Sequence, residues 1–249
     1  MNRYVSVFGL CARSTLYKLI GVIMVMAAAE QVLFMVAMNN VEGTKLLEWI
    51  IDDSKIAYAF GIGFLAYYSI LCGVSKKTSN AVHTTRRLAI EERVYNWISV
   101  IYNAMVLVIF LAAQLAVALI LCKQYLNSDI SGNYQHVIFT AFYRSDMLHS
   151  LLPLEDYVLL VCNILLLVEL SILASYSQQQ SRRGKHDFLA GPAAVITAAT
   201  FLQDSGNDLF VGPILIAFLA IYAGIYISKG GAVDEDTYYQ NEEEQEPSA

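Results

Sequence analysis

Charge is what this chain has least of: Asp, Glu, Lys and Arg make up 15% of its 249 residues, where a soluble domain carries about a quarter. A water-soluble surface cannot be built from so few ionised groups, which excludes an ordinary soluble domain. The four cysteines, Cys11, Cys72, Cys122 and Cys162, stand singly, with no CxxC pair and no histidine at ligand spacing. No disulfide framework and no metal site is expected from them, and free cysteine in an apolar run acts as a small hydrophobe. There is no N-x-[ST] sequon, no G-x-x-x-x-G-K-[ST] phosphate loop, no H-E-x-x-H and no G-x-S-x-G. The chain therefore offers no nucleotide-binding loop and no hydrolase motif, and neither catalysis nor a cofactor is expected. The net charge of −6 is misleading, because seven of the 22 acids lie in residues 234–249. The remaining body is near neutral, so nothing suggests a nucleic-acid partner.

What is abundant is apolar: 57% of residues are hydrophobic and the mean hydropathy is +0.49. A helix needs roughly 20 apolar residues to cross the hydrocarbon core. Leu16–Met38, Ile56–Val74, Tyr157–Tyr176 and Leu209–Ile227 meet that length, and Val94–Leu121 exceeds it. Phe188–Leu202 is the weakest, alanine-rich with Gly191 and Pro192 at its start, and either spans with help from neighbours or is re-entrant. The pattern predicts an all-α, multi-pass bundle of six spans, seated in lipid in the cell membrane. With both termini cytoplasmic, twelve Lys and Arg lie inside and four (Lys45, Lys55, Lys123, Arg144) outside, which is the usual positive-inside bias. The first run lacks a cleavage site after it and is expected to be retained.

Four parts are expected outside the hydrocarbon. Residues 1–15 mix Tyr4, Val5, Phe8 and Leu10 with Arg3 and Arg13, and read as a short interfacial helix or a plain basic extension. The 75–93 loop carries a dense mixed-charge patch, Arg86, Arg87, Glu91, Glu92 and Arg93; it is either a solvated helix start or a docking helix for a cytosolic protein. The external segment 122–156 contains apolar residues near a helical period between His136 and Pro153, predicting an amphipathic helix on the outer face. From Ala232 the acidic, apolar-poor tail (residues 229–249 as a unit) is expected to be disordered.

Polar residues interrupt the spans at Glu30, Gln31, Asn103, Gln114, Asn163 and Glu169. A carboxylate at membrane depth costs free energy and usually faces a protein interior or a water-filled path. Both glutamates are expected to point into the bundle, within reach of Asn103, Gln114 or Asn163. In the six-span topology Glu30 falls on the outer half and Glu169 on the inner half, so they belong to separate sites. They serve either as interhelical packing glue or as a polar lining for transport. No inverted repeat relates the two halves, which weighs against a classical secondary carrier.

The order of parts resembles the permease subunits of ABC-2 type ATP-driven exporters: a basic amphipathic N-terminal stretch, cytoplasmic termini, and a charged loop between the second and third spans. The stretch TTRRLAIEERVYNWISVIYNAMVLVIFLAAQLAVAL, with FYRSDMLHSLLPLED, is also similar to small permease-like proteins of anaerobic Gram-positive bacteria. The resemblance implies a bacterial exporter subunit, paired with itself or a related permease and powered by a separate cytosolic ATPase. It places the coupling helix at Thr84–Arg93, with Thr85, Arg86, Arg87, Glu91, Glu92 and Arg93 as docking residues. A non-transporting scaffold or sensor, and an ion-coupled carrier using Glu30 or Glu169, are the rival readings.

Overall fold

The structure, a computed structural model, describes residues 3–40, 46–73, 92–128, 137–153, 157–182, 189–202 and 211–229. All regular structure among them is helical, in order α1 (Arg3–Asn39), α2 (Leu47–Asp53), α3 (Ile56–Gly73), α4 (Glu92–Leu126), α5 (Val137–Arg144), α6 (Asp146–Leu151), α7 (Tyr157–Arg182), α8 (Ala190–Leu202) and α9 (Val211–Lys229). Four segments are long and apolar enough to cross a membrane: Thr15–Asn39, Ile56–Gly73, Arg93–Leu126 and Tyr157–Ser181. The chain is a membrane-embedded helical protein.

The spans expected at 188–202 and 209–227 are present as helices, but their apolar stretches, Ala190–Ala199 and Pro213–Ser228, are shorter than those four. At about 1.5 Å per residue, the 13 residues of α8 reach roughly 20 Å, less than a hydrocarbon core of about 30 Å. Pro192 and Pro213 sit in the first turns of α8 and α9, where a missing N–H leaves no intrahelical bond unmade. Helix α1 runs unbroken for 37 residues, so the interfacial stretch 1–15 is not set apart by any break from the span that follows. The third helix likewise continues past the expected end at Leu121 to Leu126, which puts Cys122 inside α4 rather than in an external segment.

The amphipathic helix expected between His136 and Pro153 is two helices, not one. Ser145, in extended conformation at φ −79° and ψ 124°, separates α5 from α6. Its hydroxyl donates to Asp52 Oδ1 of α2 at 2.9 Å, and Arg144 Nη1 lies 3.3 Å from Glu48 Oε1. Helix α2, which the apolar run-lengths gave no reason to expect, is thereby tied to α5. Lys55, at φ 58°, turns the chain from α2 into α3, a left-handed conformation unusual for a residue with a Cβ.

Packing is inverted relative to a soluble protein. Large apolar side chains such as Met24, Val25, Ile109, Leu165 and Phe218 are exposed, while Glu30, Asn103 and Gln179 have no exposed surface at all. Lipid tolerates the first group, and the second is shielded from it inside the bundle. At the centre, α3 and α4 are joined by an aromatic cluster: Phe110 lies 4.5 Å from Tyr67 and 5.8 Å from Phe60, ring centre to ring centre. Tyr67 donates to the Val106 carbonyl at 2.8 Å and Tyr68 to the Leu170 carbonyl at 3.1 Å. Those two hydroxyls fasten α3 to α4 and α7. Around this centre α1 packs on α3 and α4, α7 on α4 and α9, and α8 on α3.

Candidate functional sites in the helix bundle

The first site lies where the N-terminal part of α4 meets the C-terminal part of α7. Gln178 is its hub. Its Oε1 accepts from Ser99 Oγ at 2.6 Å, and its Nε2 donates to the Leu71 carbonyl at 2.9 Å and to Asn103 Oδ1 at 3.3 Å. Every polar atom of that side chain is used. One turn earlier, Ser175 Oγ donates to the Asn96 carbonyl at 3.0 Å. Residues 175–180 (SYSQQQ) are all buried. The expected span ends at Tyr176, before these three consecutive glutamines. Helix α7 instead carries them into the bundle, where α3 and α4 supply partners for Gln178. Tyr176 packs edge-on against Tyr226 of α9, with centroids 5.3 Å apart, closing that side. Asn96, Ser99, Ser175, Gln178, Gln179 and Gln180 were therefore missed. Their one sequence signal was position: Asn96 and Ser99 lie just before Asn103 on the same helix.

The second site lies on α1 and α4. These helices run parallel, because three successive hydrogen bonds climb both in the same direction. Thr15 donates to the Cys11 carbonyl at 2.9 Å, so the Tyr102 hydroxyl, which also bonds Thr15, donates to it. Further along, Gln114 Nε2 donates to Glu30 Oε2 at 3.0 Å. Gln31 Nε2 donates to Gln124 Oε1 beyond that. Glu30 and Gln114 are 0% and 1% exposed, yet Glu30 Oε1 and Gln114 Oε1 have no hydrogen-bond partner among the described residues.

The remaining expected residues do not join either group. Asn163 donates to the Ser150 carbonyl at 2.9 Å, holding α6 against α7. It lines a small apolar cleft with Phe60, Phe64, Phe110, Leu166 and Thr197. Glu169 is partly exposed, and its enclosed Oε2 has no hydrogen bond among the described residues. Two of the expected donors are engaged elsewhere, Gln114 with Glu30 and Asn163 with Ser150; Asn103 accepts from Gln178 through Oδ1, and its Nδ2 has no hydrogen-bond partner among the described residues. The expectation of a nearby donor thus fits Glu30 and does not fit Glu169. Of the charged patch, Thr85, Arg86, Arg87 and Glu91 lie outside the described residues, as does the acidic tail beyond Lys229. Glu92 and Arg93 open α4, with Arg93 exposed.

None of the four cysteines is in a disulfide, and no three His, Cys, Asp or Glu come together among the described residues. What the sites can do is bind through neutral amides and hydroxyls, and hold one buried carboxyl. Comparison of the chain with models of protein families, with curated proteins and with solved structures finds no match.

Proposed function

We propose that this chain is the permease subunit of an ATP-driven exporter of the ABC-2 type. In this reading α8 and α9 serve as the fifth and sixth crossings, both termini are cytoplasmic, and two copies or two related subunits pair in the membrane. A separate cytosolic ATPase supplies the energy, docking on Thr84–Arg93, and transport proceeds by alternating conformations without covalent chemistry in this chain. The supporting observation is the Gln178 hub. The docking segment runs directly into α4 at Glu92, and the next turns of that helix carry Asn96, Ser99 and Asn103, which meet α7 at the hub. Movement of Glu92 and Arg93, the last residues of that segment and the first of α4, would displace the turns of α4 whose hydrogen bonds hold α7. The positive-inside bias supports the orientation, since it puts this end of the bundle in the cytoplasm.

The reading is tested by asking whether an ATPase gene lies beside that of this chain and, with that ATPase, measuring complex formation and nucleotide hydrolysis of the full chain in proteoliposomes. The double variant R86E/R87E is expected to insert normally and to lose the complex, since reversing two interface charges together costs more than either rim charge alone. Unchanged co-purification of the double variant would overturn the docking assignment. A cysteine placed at Ser248 that reacts from outside intact cells would overturn the six-crossing topology.

A further inference from the structure

Glu30 is held by a single donor, and what is left over at that contact is chemically specific. Gln114 Nε2 satisfies Oε2 of the carboxyl. The atoms without a hydrogen-bond partner among the described residues are Glu30 Oε1 and Gln114 Oε1, one on each of the two groups already joined. Both are acceptors when the carboxyl is ionised, and two acceptors cannot bond each other. One proton changes that: a protonated carboxyl donates from one oxygen while accepting at the other, and a primary amide offers the matching donor and acceptor.

We propose that Glu30 and Gln114 form a proton-binding site between α1 and α4. The carboxyl carries its proton on Oε1 and donates it to Gln114 Oε1 while Gln114 Nε2 donates to Oε2, two opposed bonds closing a ring. The proton is taken from water and returned to it; no other bond changes. In the ionised state a full negative charge stands against the amide oxygen, at a place where an unpaired charge is costly. Loss of the proton therefore loosens the α1–α4 contact, and the pair couples protonation to the position of α1.

Among the described residues no other ionisable group takes over that role. On α4 the nearest ionisable residues, Tyr102 and Cys122, lie more than two turns from Gln114 on either side, and Lys123 is exposed. On α3, Tyr67 is bonded to Val106 and Tyr58 is exposed. On α2, Glu48 pairs with Arg144, Asp52 accepts from Ser145, and Asp53 is exposed. On α1 itself, Arg13 and Lys18 lie three or more turns away, toward the other end.

The inference rests on the buried pair and not on the exporter reading, and its test needs no ATPase. Infrared spectra of the full chain in liposomes, at neutral pH, are compared with those of E30Q, Q114L and, as a control for the other intramembrane carboxyl, E169Q. The expected result is a carboxylic-acid C=O band that shifts down in D2O, persists in E169Q and is lost completely in E30Q. In Q114L the band should move to higher frequency, because the carbonyl has lost its donor. E30Q replaces the acid by a neutral side chain of equal size, so its folding provides a sound comparison. A spectrum in which E30Q removes only carboxylate bands would show the group ionised and overturn the proposal. So would a Glu30 acid band that Q114L leaves unmoved.

Discussion

Helices α1 and α7 both dock on the α3–α4 pair, and they do so by different means. Helix α7 is held by hydrogen bonds that leave the amide of Gln178 fully used, with donors and acceptors supplied by Ser99, Asn103 and the Leu71 carbonyl. Helix α1 is held by shape and by a carboxyl with capacity to spare. Gly63 of α3 lies under Met26: a Cβ there would meet Met26 Sδ at 2.5 Å and Cγ at 2.6 Å. The polar bonds of α1 to α4 come one at a time along the helix rather than meeting in a hub. A hub where three hydrogen bonds meet on one amide fixes one arrangement, because any shift breaks several bonds at once. A close-packed seam with one half-satisfied acid can adopt two. The difference teaches that the polar residues of these spans are not one class: some are glue, and Glu30 is a candidate for protonation.

That contrast can be broken at several points. The largest effect is expected at the shape-held seam. G63L forces a branched side chain into Met26 and should cost about 3 kcal/mol, the upper part of the range for overpacking, read as a lower unfolding temperature in detergent. An unchanged temperature would mean that α1 is not held there. Next comes the hub. Q178L removes three hydrogen bonds, and at about 0.6 kcal/mol per interhelical bond in membranes it should cost about 2 kcal/mol. A loss no larger than that of S99A would show that the hub does not act as a unit.

At Glu30 the two substitutions should separate. E30Q keeps a neutral hydrogen-bonding partner and should leave the unfolding temperature nearly unchanged. E30L strands the Gln114 amide in the interior and should cost about 1–2 kcal/mol. Equal losses would assign Glu30 to packing alone. The smallest effect belongs to the ion pair that ties α2 to α5. The Arg144 side chain is 60% exposed, so R144A should cost no more than about 0.5 kcal/mol and less still at high salt. A larger, salt-independent loss would show that this module is held more tightly than its exposure implies.

Much of the fold was legible because lipid imposes a simple rule: every backbone group in the hydrocarbon must be bonded within the span, so long apolar runs become helices. The runs beginning at Leu16, Ile56, Val94 and Tyr157 are helices for that reason. Glu30 was legible as a buried residue on the same physics, since lipid does not solvate a carboxyl. The run-length rule fails where apolarity is not the deciding quantity. It ended the fourth span before Ser177–Gln180, because it cannot know that neighbouring helices supply partners for the Gln178 amide. It merged α5 and α6, because Ser145 breaks the helix through a bond to Asp52, more than ninety residues earlier and invisible to local periodicity.

The sequence by itself determined that the chain is helical, that it lives in a membrane, and that Glu30, Asn103 and Gln114 lie at depth. Only the tertiary structure decided which of them meet. Hydropathy is additive along the chain and can be read residue by residue, whereas a hydrogen bond is a property of two groups brought together. Glu30 and Gln114 stand 84 positions apart, and Gln178 and Leu71 107. Nothing local in the chain encodes those distances; the packing of α1 and α7 on the α3–α4 pair does.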